Sequence, residues 1–565
     1  MRFLIAAALF VISVFLLLAG LAHRTIWAPA TEIRQSVSAE MSSALILIPN
    51  SVLKAHPGVP EIQVEATVQI FIASARETDI TAWIGTSEYL QVTPDAKAKK
   101  LNLERIAGPR NSLSPVASDL WRTERTAQAN GSLKLNPALD GAGLLASDGT
   151  NSAPSNFDLV WKQPVNQTLS NLLLISGAVF LLAAIVLNTI AYNIMRRKRG
   201  PRRRTPNAPK PPRYRAKKKA NLAPARGRRS SRRNKIALPA AVTVLALLSG
   251  CAPTSSQSPS PSSSVSAAEV PPAAVTYQQI KRILADVAQV AADADLTSDK
   301  KILKFRFAGP ALEQRTAHYL LRTRSAKIAA LPTIAAKPIS FSLPSATASW
   351  PRVIMAVSDE PGNALPQMLV LQQLTPRSPY LLLYNIRLMP GSTLPEMPAT
   401  AVGAVPVEPN SLFLKMQPKD IPIAYGDVIN KGASSLSSAL FDLSKDEFYK
   451  QVSASQQTQV ATLKTANIKF VHSLGNANVV SLASSNAGAL VAVYMNDTYT
   501  IRPKKRGSAV AVSGQEKLML GASGSTTGVR SVYGDMLLFY VPALSDNSQV
   551  KLLGATQGLV SVRGL

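Results

Sequence analysis

The chain has 565 residues, which is enough for about two or three domains with cores of their own. Its formal net charge is +29, but residues 196–235 hold 19 Lys and Arg residues and no Asp or Glu, so the rest is only mildly basic. The single cysteine excludes an intrachain disulfide and a cysteine-based zinc site.

Residues 1–22 predict a membrane helix that acts as a signal-anchor. The segment 3–22 is apolar apart from Ser13 and follows Arg2. About twenty such residues cross the hydrocarbon core of a bilayer. A cleavable signal peptide is the alternative, because residues 19–22 are small or apolar. The length of the apolar run favours a retained helix.

Residues 23–167 predict an all-β, sandwich-like domain. They carry many β-forming residues, and predicted strands cover 44–48, 62–73, 78–84, 89–92 and 156–161. Within the longest predicted strand the apolar residues alternate, which places them on one face: Ile62, Val64, Ala66, Val68, Ile70 and Ile72.

Residues 172–195 are the clearest transmembrane helix in the sequence, because they contain no charged residue. Four basic residues follow directly and are predicted to set the topology: Arg196, Arg197, Lys198 and Arg199. Basic flanks remain in the cytoplasm. Residues 23–167 are then predicted to lie outside the cytoplasm.

Residues 196–235 predict a disordered cytoplasmic loop, because they are basic, rich in proline and without hydrophobic periodicity. Such a tract between membrane segments favours binding to anionic lipid of the bilayer. Nucleic acid is disfavoured as a partner, since Tyr214 is the only aromatic residue that could stack on bases.

Residues 236–251 resemble a bacterial lipoprotein signal. A basic region precedes a short apolar run, which ends in Leu248, Ser249, Gly250 and Cys251. These four residues resemble the lipobox, in which the cysteine is lipidated and the chain is cut just before it. Cys251 is therefore the candidate lipidation site. A short membrane helix with an incidental cysteine is the alternative, because this signal is internal.

Residues 252–273 predict a Ser/Pro-rich linker that holds a domain away from the membrane. With either interpretation of Cys251, residues 252–565 are predicted to be extracytoplasmic. The protein would then be a multi-pass protein of the cell membrane.

Residues 274–395 and 396–565 predict two α+β domains, each with helices first and antiparallel strands after them. Predicted helices cover 275–292, 300–307, 311–322, 421–429, 436–443 and 445–463. Predicted strands cover 339–343, 352–357, 368–373, 380–388, 468–472, 479–483, 489–495, 499–501, 516–520, 536–541 and 559–562. This order of elements resembles two repeats of the cone-shaped NTF2-like fold.

Several segments resemble a family of uncharacterised actinobacterial membrane proteins whose carboxy-terminal half is a domain of unknown function. The segments are residues 55–58, 146–149, 199–203, 307–313 and 533–542. The resemblance implies this domain architecture and an envelope location. Members are sometimes labelled glycosyltransferases, but the resemblance brings no catalytic residue to this chain.

The residues give little support for catalysis, a cofactor or a metal. Asp293 and Asp295 form the one Asp-x-Asp element that could hold a divalent cation, but their place at a polar helix end favours a solvated terminus. His318, in a predicted helix, is interpreted as an ordinary surface or half-buried residue. A polar and basic strand end could contact acidic wall polymers: Asp497, Tyr499, Arg502, Lys504, Lys505 and Arg506.

We therefore predict a non-catalytic membrane protein or lipoprotein of the cell envelope. It would act in binding, assembly or maintenance of the cell surface, with cell-wall polymers or other envelope proteins as partners. The alternative is an enzyme that acts on envelope glycans or lipid-linked sugars. That alternative predicts a pocket lined by converging carboxylates.

Overall fold

A computed structural model describes residues 2–198 and 272–565, except for residues 29, 39–40, 96–99, 111–113, 139, 164–166, 338 and 360–361. The chain divides into two compact units. One contains residues 1–28 and 166–268, and the other contains residues 29–165 and 269–565.

The helices and strands of the described residues are as follows. The helices are α1 (Arg2–Arg24), α2 (Asn50–Leu53), α3 (Glu77–Ile84), α4 (Thr168–Lys198), α5 (Tyr277–Thr297), α6 (Lys300–Leu303), α7 (Gly309–Arg324), α8 (Ile421–Lys431), α9 (Glu447–Thr462) and α10 (Gly514–Leu520). The amino-terminal strands are β1 (Glu32–Val37), β2 (Leu45–Ile48), β3 (Val59–Ala66), β4 (Ile70–Ala75), β5 (Tyr89–Asp95), β6 (Lys100–Ile106), β7 (Thr123–Ala127), β8 (Gly131–Leu135), β9 (Ala142–Ala146) and β10 (Phe157–Lys162). The carboxy-terminal strands are β11 (Ile339–Pro344), β12 (Arg352–Ser358), β13 (Gln367–Gln373), β14 (Leu381–Arg387), β15 (Ala466–Leu474), β16 (Val480–Ala483), β17 (Ala489–Pro503), β18 (Val510–Ala511), β19 (Gly524–Ser525), β20 (Val529–Val541) and β21 (Lys551–Gly564).

Helices α1 and α4 form an antiparallel hairpin, and both are long and apolar enough to cross a membrane. Small residues recur every seven positions on the buried side of each helix: Ala6, Ser13 and Gly20 on α1, and Ser170, Gly177, Ala184 and Ala191 on α4. The Ser13 hydroxyl donates to the Gly177 carbonyl at 2.7 Å. Small residues let two helix backbones approach closely where lipid gives no hydrophobic drive for association. The seam gives α1 a specific partner in α4.

Replacing Gly20 with Phe is expected to separate the hairpin. A Cβ at this position would lie 2.8 Å from Leu174 Cγ, so a larger side chain forces the helices apart. We expect the yield of a disulfide between cysteines placed at Ala6 and Ala184, two buried seam positions that already have a Cβ, to fall several-fold in a chain with Cys251→Ser. The matched control is Leu18→Phe, on the exposed side of α1. An equal loss of cross-link in both variants would contradict the seam.

The amino-terminal part of the second unit is built mainly from β-structure. Its four-stranded sheet has the order β1-β10-β3-β8, and its six-stranded sheet has the order β6-β5-β2-β9-β4-β7. One apolar core takes side chains from both sheets, among them Ile62, Ile72 and Trp161. A second core, with Trp83 and Trp121, covers the other face of the six-stranded sheet.

Two sequence predictions in this part are wrong in detail. Residues 78–84 lie in helix α3, because Ile80, Trp83 and Ile84 also fit one helical face, and that face is buried. The strand predicted over 62–73 is two strands, β3 and β4, in different sheets. Val68 lies between them and is exposed, whereas Ile62 and Ile72 share the core as predicted.

The carboxy-terminal part is a mixture of helices and antiparallel sheets in layers. One face of the sheet β11-β12-β13-β14 packs against a face of the sheet β15-β17-β20-β21, where Met355 and Tyr384 meet Leu490 and Leu538. Helices α5 and α7 cover the outer face of the first sheet. Helices α8 and α9 cover the outer face of the second sheet.

The predicted elements of this part are mostly found, with three differences. Residues 516–520 lie in helix α10, which ends at Gly521 in a left-handed conformation that favours glycine. Residues 436–443 contain only the short 3₁₀ turn Ser438–Leu440 and the start of another. The strands predicted over 489–495 and 499–501 are one continuous strand, β17.

Two buried carboxylates join the amino-terminal β-structure to the carboxy-terminal part. Asp79 on α3 accepts a hydrogen bond from Arg352 Nη2 at 2.7 Å, and both side chains are almost completely buried. Asp119 pairs with Arg306 at 2.6 Å and accepts the Tyr380 backbone N–H at 2.7 Å. Buried charges require such partners, so these ion pairs define how the two parts fit together.

Backbone carbonyls complete the contact between the two parts. Arg377 donates to the carbonyls of Trp83 and Ile84, both at 2.7 Å, at the carboxyl end of α3 where cations are favourable. Gln279 caps α5 with its side-chain oxygen and donates its amide to the carbonyls of Asp119 and Leu120. Residues 29–165 and 272–565 are therefore joined by directional polar contacts.

Candidate functional site

The residues predicted to set processing and topology lie mostly outside the described part of the chain. These are the lipobox residues Leu248, Ser249, Gly250 and Cys251, and also Arg199. The loop 196–235 is described only as far as Lys198, the last residue of α4. Arg196 and Arg197 lie in the last turn of this helix and are exposed. The topology prediction remains a proposal.

The Asp-x-Asp element is used by the fold. Asp295 accepts hydrogen bonds from Arg315 Nε at 2.9 Å and from the Tyr319 hydroxyl at 2.5 Å, so it ties α5 to α7. Asp293 is exposed and accepts from Gln289 on the same helix. Among the described residues, no group of three or more His, Cys, Asp or Glu side chains is placed to hold a metal ion.

A cleft of about 310 Å³ opens where α7 passes the ends of both carboxy-terminal sheets. His318 on α7 forms one side, and Gln367 on β13 with Asn385 on β14 forms another. Met536 on β20 and Gln557 on β21 close the third side. A volume of this size suits a small molecule of roughly the size of one sugar ring.

Four polar atoms of the cleft lining are buried without a hydrogen-bond partner among the described residues. They are His318 Nε2, Gln367 Oε1, Asn385 Oδ1 and Gln557 Nε2. The Gln367 amide nitrogen donates to the Thr333 carbonyl at 3.2 Å, which orients the amide so that the oxygen is the free acceptor. Native proteins leave few buried polar groups unpaired. Four around one cleft indicate a place where a bound molecule completes the hydrogen bonding.

The charge of the cleft is positive. Among the described residues that line it, there is no Asp or Glu. Arg387 is exposed at its edge, and in the described part of the chain its guanidinium has no ion pair or hydrogen bond. Burial, followed by the nearby charges of Arg322 and Arg315, lowers the pKa of His318, so this ring is neutral at neutral pH. Arg387 is therefore the cation available to a ligand.

A second polar cluster lies on strands β15, β17 and β20 of the second carboxy-terminal sheet. Asp497 on β17 and Asp535 on β20 are both fully buried. His472 Nε2 lies 3.1 Å from Asp497 Oδ1, and the other ring nitrogen lies 2.8 Å from Asn430 Oδ1. Burial, and then the charge of Asp497, raises the pKa of Asp535 well above its usual range.

The structure changes the interpretation of the predicted basic strand end and of His318. Asp497 and Tyr499 were grouped with the basic turn, but both are buried, whereas Arg502 and residues 504–506 are exposed. His318 is half-buried, as predicted, but it belongs to the cleft. The cleft residues Gln367, Asn385 and Arg387 carry no motif, so sequence reasoning had no signal for them.

Comparison with known proteins yields a family and no function. A family model described as a domain of unknown function, DUF8094, matches residues 271–564. No curated protein matches the chain. No solved structure matches it either.

Proposed function

Because the chain belongs to the DUF8094 family, whose members share a domain of unknown function, we propose a function from the cleft itself. The protein is a non-catalytic, membrane-held binding protein of the cell envelope that takes a small polar ligand in this cleft. The observation that carries the proposal is the set of three unpaired buried acceptors beside the unpaired cation of Arg387.

The chemistry of the wall defines the ligand class. Two amide oxygens require hydroxyl or N–H donors from the ligand, and a guanidinium favours a carboxylate or a phosphate. A sugar acid or a polyol phosphate offers both, and such groups are the units of acidic wall polymers. The exposed basic turn at Arg502 could hold the remainder of such a polymer.

The proposed location is the outer face of the cell membrane. α1 and α4 supply the membrane hairpin, and residues 23–167 lie between them in the chain, on the side opposite to Arg196 and Arg197. The docked contacts, such as Asp79 with Arg352, require residues 272–565 to be on that same side. The segment 199–271 must then return the chain across the bilayer, which agrees with a signal or membrane segment at 236–251.

Further parts of the proposal follow the sequence. The basic segment 196–235 contacts anionic lipid at the cytoplasmic surface. Cys251 carries the lipid, and each carboxy-terminal half is an NTF2-like cone of helices on a curved sheet. Mass spectrometry of the native protein tests the lipid directly, because an amino-terminal diacylglyceryl Cys251 has a defined mass, whereas an intact chain contradicts processing.

The cleft binding is tested with matched pairs of probes on the full-length protein in detergent. The pairs are glucuronate with glucose, and glycerol 3-phosphate with glycerol, each measured by isothermal titration calorimetry. We expect the acids to bind with a Kd of about 1 mM or below, which is an ordinary efficiency for ligands of this size. Arg387→Ala is expected to raise the Kd of the acids by about tenfold or more, because it removes a charge-assisted hydrogen bond.

Two controls make the result specific. Gln367→Leu removes a buried acceptor and is expected to weaken every probe that binds. Arg110→Ala removes an exposed arginine of the amino-terminal β-structure and is expected to leave the affinity for every probe unchanged. Equal affinity of wild type and Arg387→Ala for the acids would show that the cleft is not their site. Binding of the neutral probes alone would leave a binding protein with a different ligand class.

The enzyme alternative has no comparable observation in its favour. It predicts carboxylates that converge on a pocket, whereas the described lining of the cleft has none. Asp497 and Asp535, whose charges interact in the core, are covered by protein. A glycan substrate could not reach them without opening of the core.

A further inference from the structure

We propose that the two parts of the chain on either side of residues 199–271 form a non-covalent complex that persists when this connection is cut. The receptor is the surface of residues 29–165 around Asp79 and Asp119, and its partner is the region 272–565 of the same protein. Scission before Cys251 would then produce a two-chain assembly, with the carboxy-terminal chain still held by the membrane-anchored amino-terminal one.

The charge arrangement supports a true binding interface. Asp79 and Asp119 are acidic and are supplied by one part, and their partners Arg352 and Arg306 are supplied by the other. All four side chains are at most 12% exposed, so solvent and salt screen these pairs little. Separation of the two parts would take the described ion-pair partner away from Asp119 and Arg352, whereas Asp79 would keep only Arg76 and Arg306 would keep only Asp286.

The geometry also fixes one orientation. Arg306 uses both terminal nitrogens on Asp119, at 2.6 and 3.2 Å, and such two-pronged pairing is directional. Arg282 donates to the Trp121 carbonyl at 2.6 Å, and Arg76 of the amino-terminal part donates to the Ala274 carbonyl at 3.1 Å. Contacts therefore run in both directions across the interface.

Apolar packing accompanies the charges. Trp350 of the carboxy-terminal part packs against the core that contains Trp83 and Trp121. The Arg352 guanidinium lies 3.6 Å from the centre of the Trp350 ring. Buried aromatic residues and arginines at the centre of a contact are the residues that carry most of the binding energy between separate chains.

The test places a site-specific protease sequence within residues 254–268 of the full-length chain. An amino-terminal affinity tag retrieves the protein from detergent after complete cleavage. We expect the carboxy-terminal chain to co-elute in a 1:1 ratio at micromolar concentration and at 0.5 M salt. A carboxy-terminal chain that leaves the tagged chain on cleavage would overturn the proposal.

A matched pair of variants shows which contacts hold the complex. Asp79→Asn with Asp119→Asn keeps the shape and removes both charges, and we expect Kd to rise at least about 100-fold, so that the chains separate after cleavage. Asp140→Asn, an exposed acid of the same part that pairs locally with Arg122, is expected to leave co-elution intact. Thermal unfolding of the uncut variants verifies folding. Retention of the double variant at wild-type affinity would show that these pairs do not hold the complex.

Discussion

Arg352→Ala is expected to lower the free energy of unfolding of the docked parts by about 3–5 kcal/mol. Its side chain is completely buried and pairs with Asp79 across the contact. Removal of the guanidinium leaves the Asp79 carboxylate buried with only Arg76 as its remaining cation. The variant also loses the stacking of Arg352 on Trp350.

Urea unfolding of the full-length protein in detergent measures this effect. Tryptophan fluorescence is a suitable signal, because Trp83, Trp121 and Trp350 lie at or beside the contact. The control is Lys431→Ala, which breaks an exposed pair with Asp427 and should leave the free energy of unfolding nearly unchanged. A loss below 1 kcal/mol in Arg352→Ala would show that the pair does not support the contact.

A double variant measures how much of this effect comes from the interaction between Arg352 and Asp79. Arg352→Ala with Asp79→Ala is expected to cost less than the sum of the single variants, because the double variant leaves neither Asp79 nor Arg352 buried without the other. Additive losses would mean that the two side chains stabilise the protein independently. The comparison therefore tests coupling across the contact as well as stability.

The sequence predicts correctly those helices and strands in which the spacing of apolar residues fits only one type of secondary structure. Helix α5 is an example, since Ile280, Ile283, Leu284 and Val287 repeat at helical spacing and are all buried. Helix α3 shows the limit, because Ile80, Ala82 and Ile84 alternate as in a strand, whereas Ile80, Trp83 and Ile84 have helical spacing. Packing of Trp83 against Trp121, far along the chain, decides between them.

The contact between the two parts had no local signal. Asp79 and Arg352 are 273 positions apart, and each alone is an ordinary charged residue in the sequence. One clue was present at Thr276 and Gln279, whose spacing is that of a capping box. The spacing marks the start of α5, but only the fold shows that the Gln279 amide also reaches the carbonyls of Asp119 and Leu120.

The cleft also had no local signal in the sequence. Its polar residues come from α7, β13, β14 and β21, and no two of these segments form a recognisable motif. The sequence did predict the helix that contains His318, the strand that contains Asn385 and the strand that begins next to Gln367. It could not show that their partners are missing, because a buried polar atom without a hydrogen bond is a property of packing.

Asp535→Asn is expected to stabilise the protein at neutral and alkaline pH. Burial, and then the charge of Asp497, raises the pKa of Asp535 well above its usual range in the folded protein. In the unfolded chain this carboxyl ionises near pH 4. The stability supplied by the protonated carboxyl is therefore complete below about pH 4, and it is lost as the pH rises through the raised, folded-state pKa.

Between these two pKa values, each rise of one pH unit lowers the free energy of unfolding of the wild-type protein by about 1.4 kcal/mol. The reason is that the unfolded chain has released a proton that the folded chain retains. Asparagine has no such proton, so the advantage of Asp535→Asn should be near zero at about pH 4 and should grow until the pH reaches the raised, folded-state pKa of Asp535. Unfolding of full-length wild type and variant at four pH values measures the difference. Thr458→Ala, at an exposed position on α9 without an ionisable side chain, is the control and should give a difference that does not change with pH. A constant or shrinking advantage for Asp535→Asn would mean that Asp535 is ionised in the folded core.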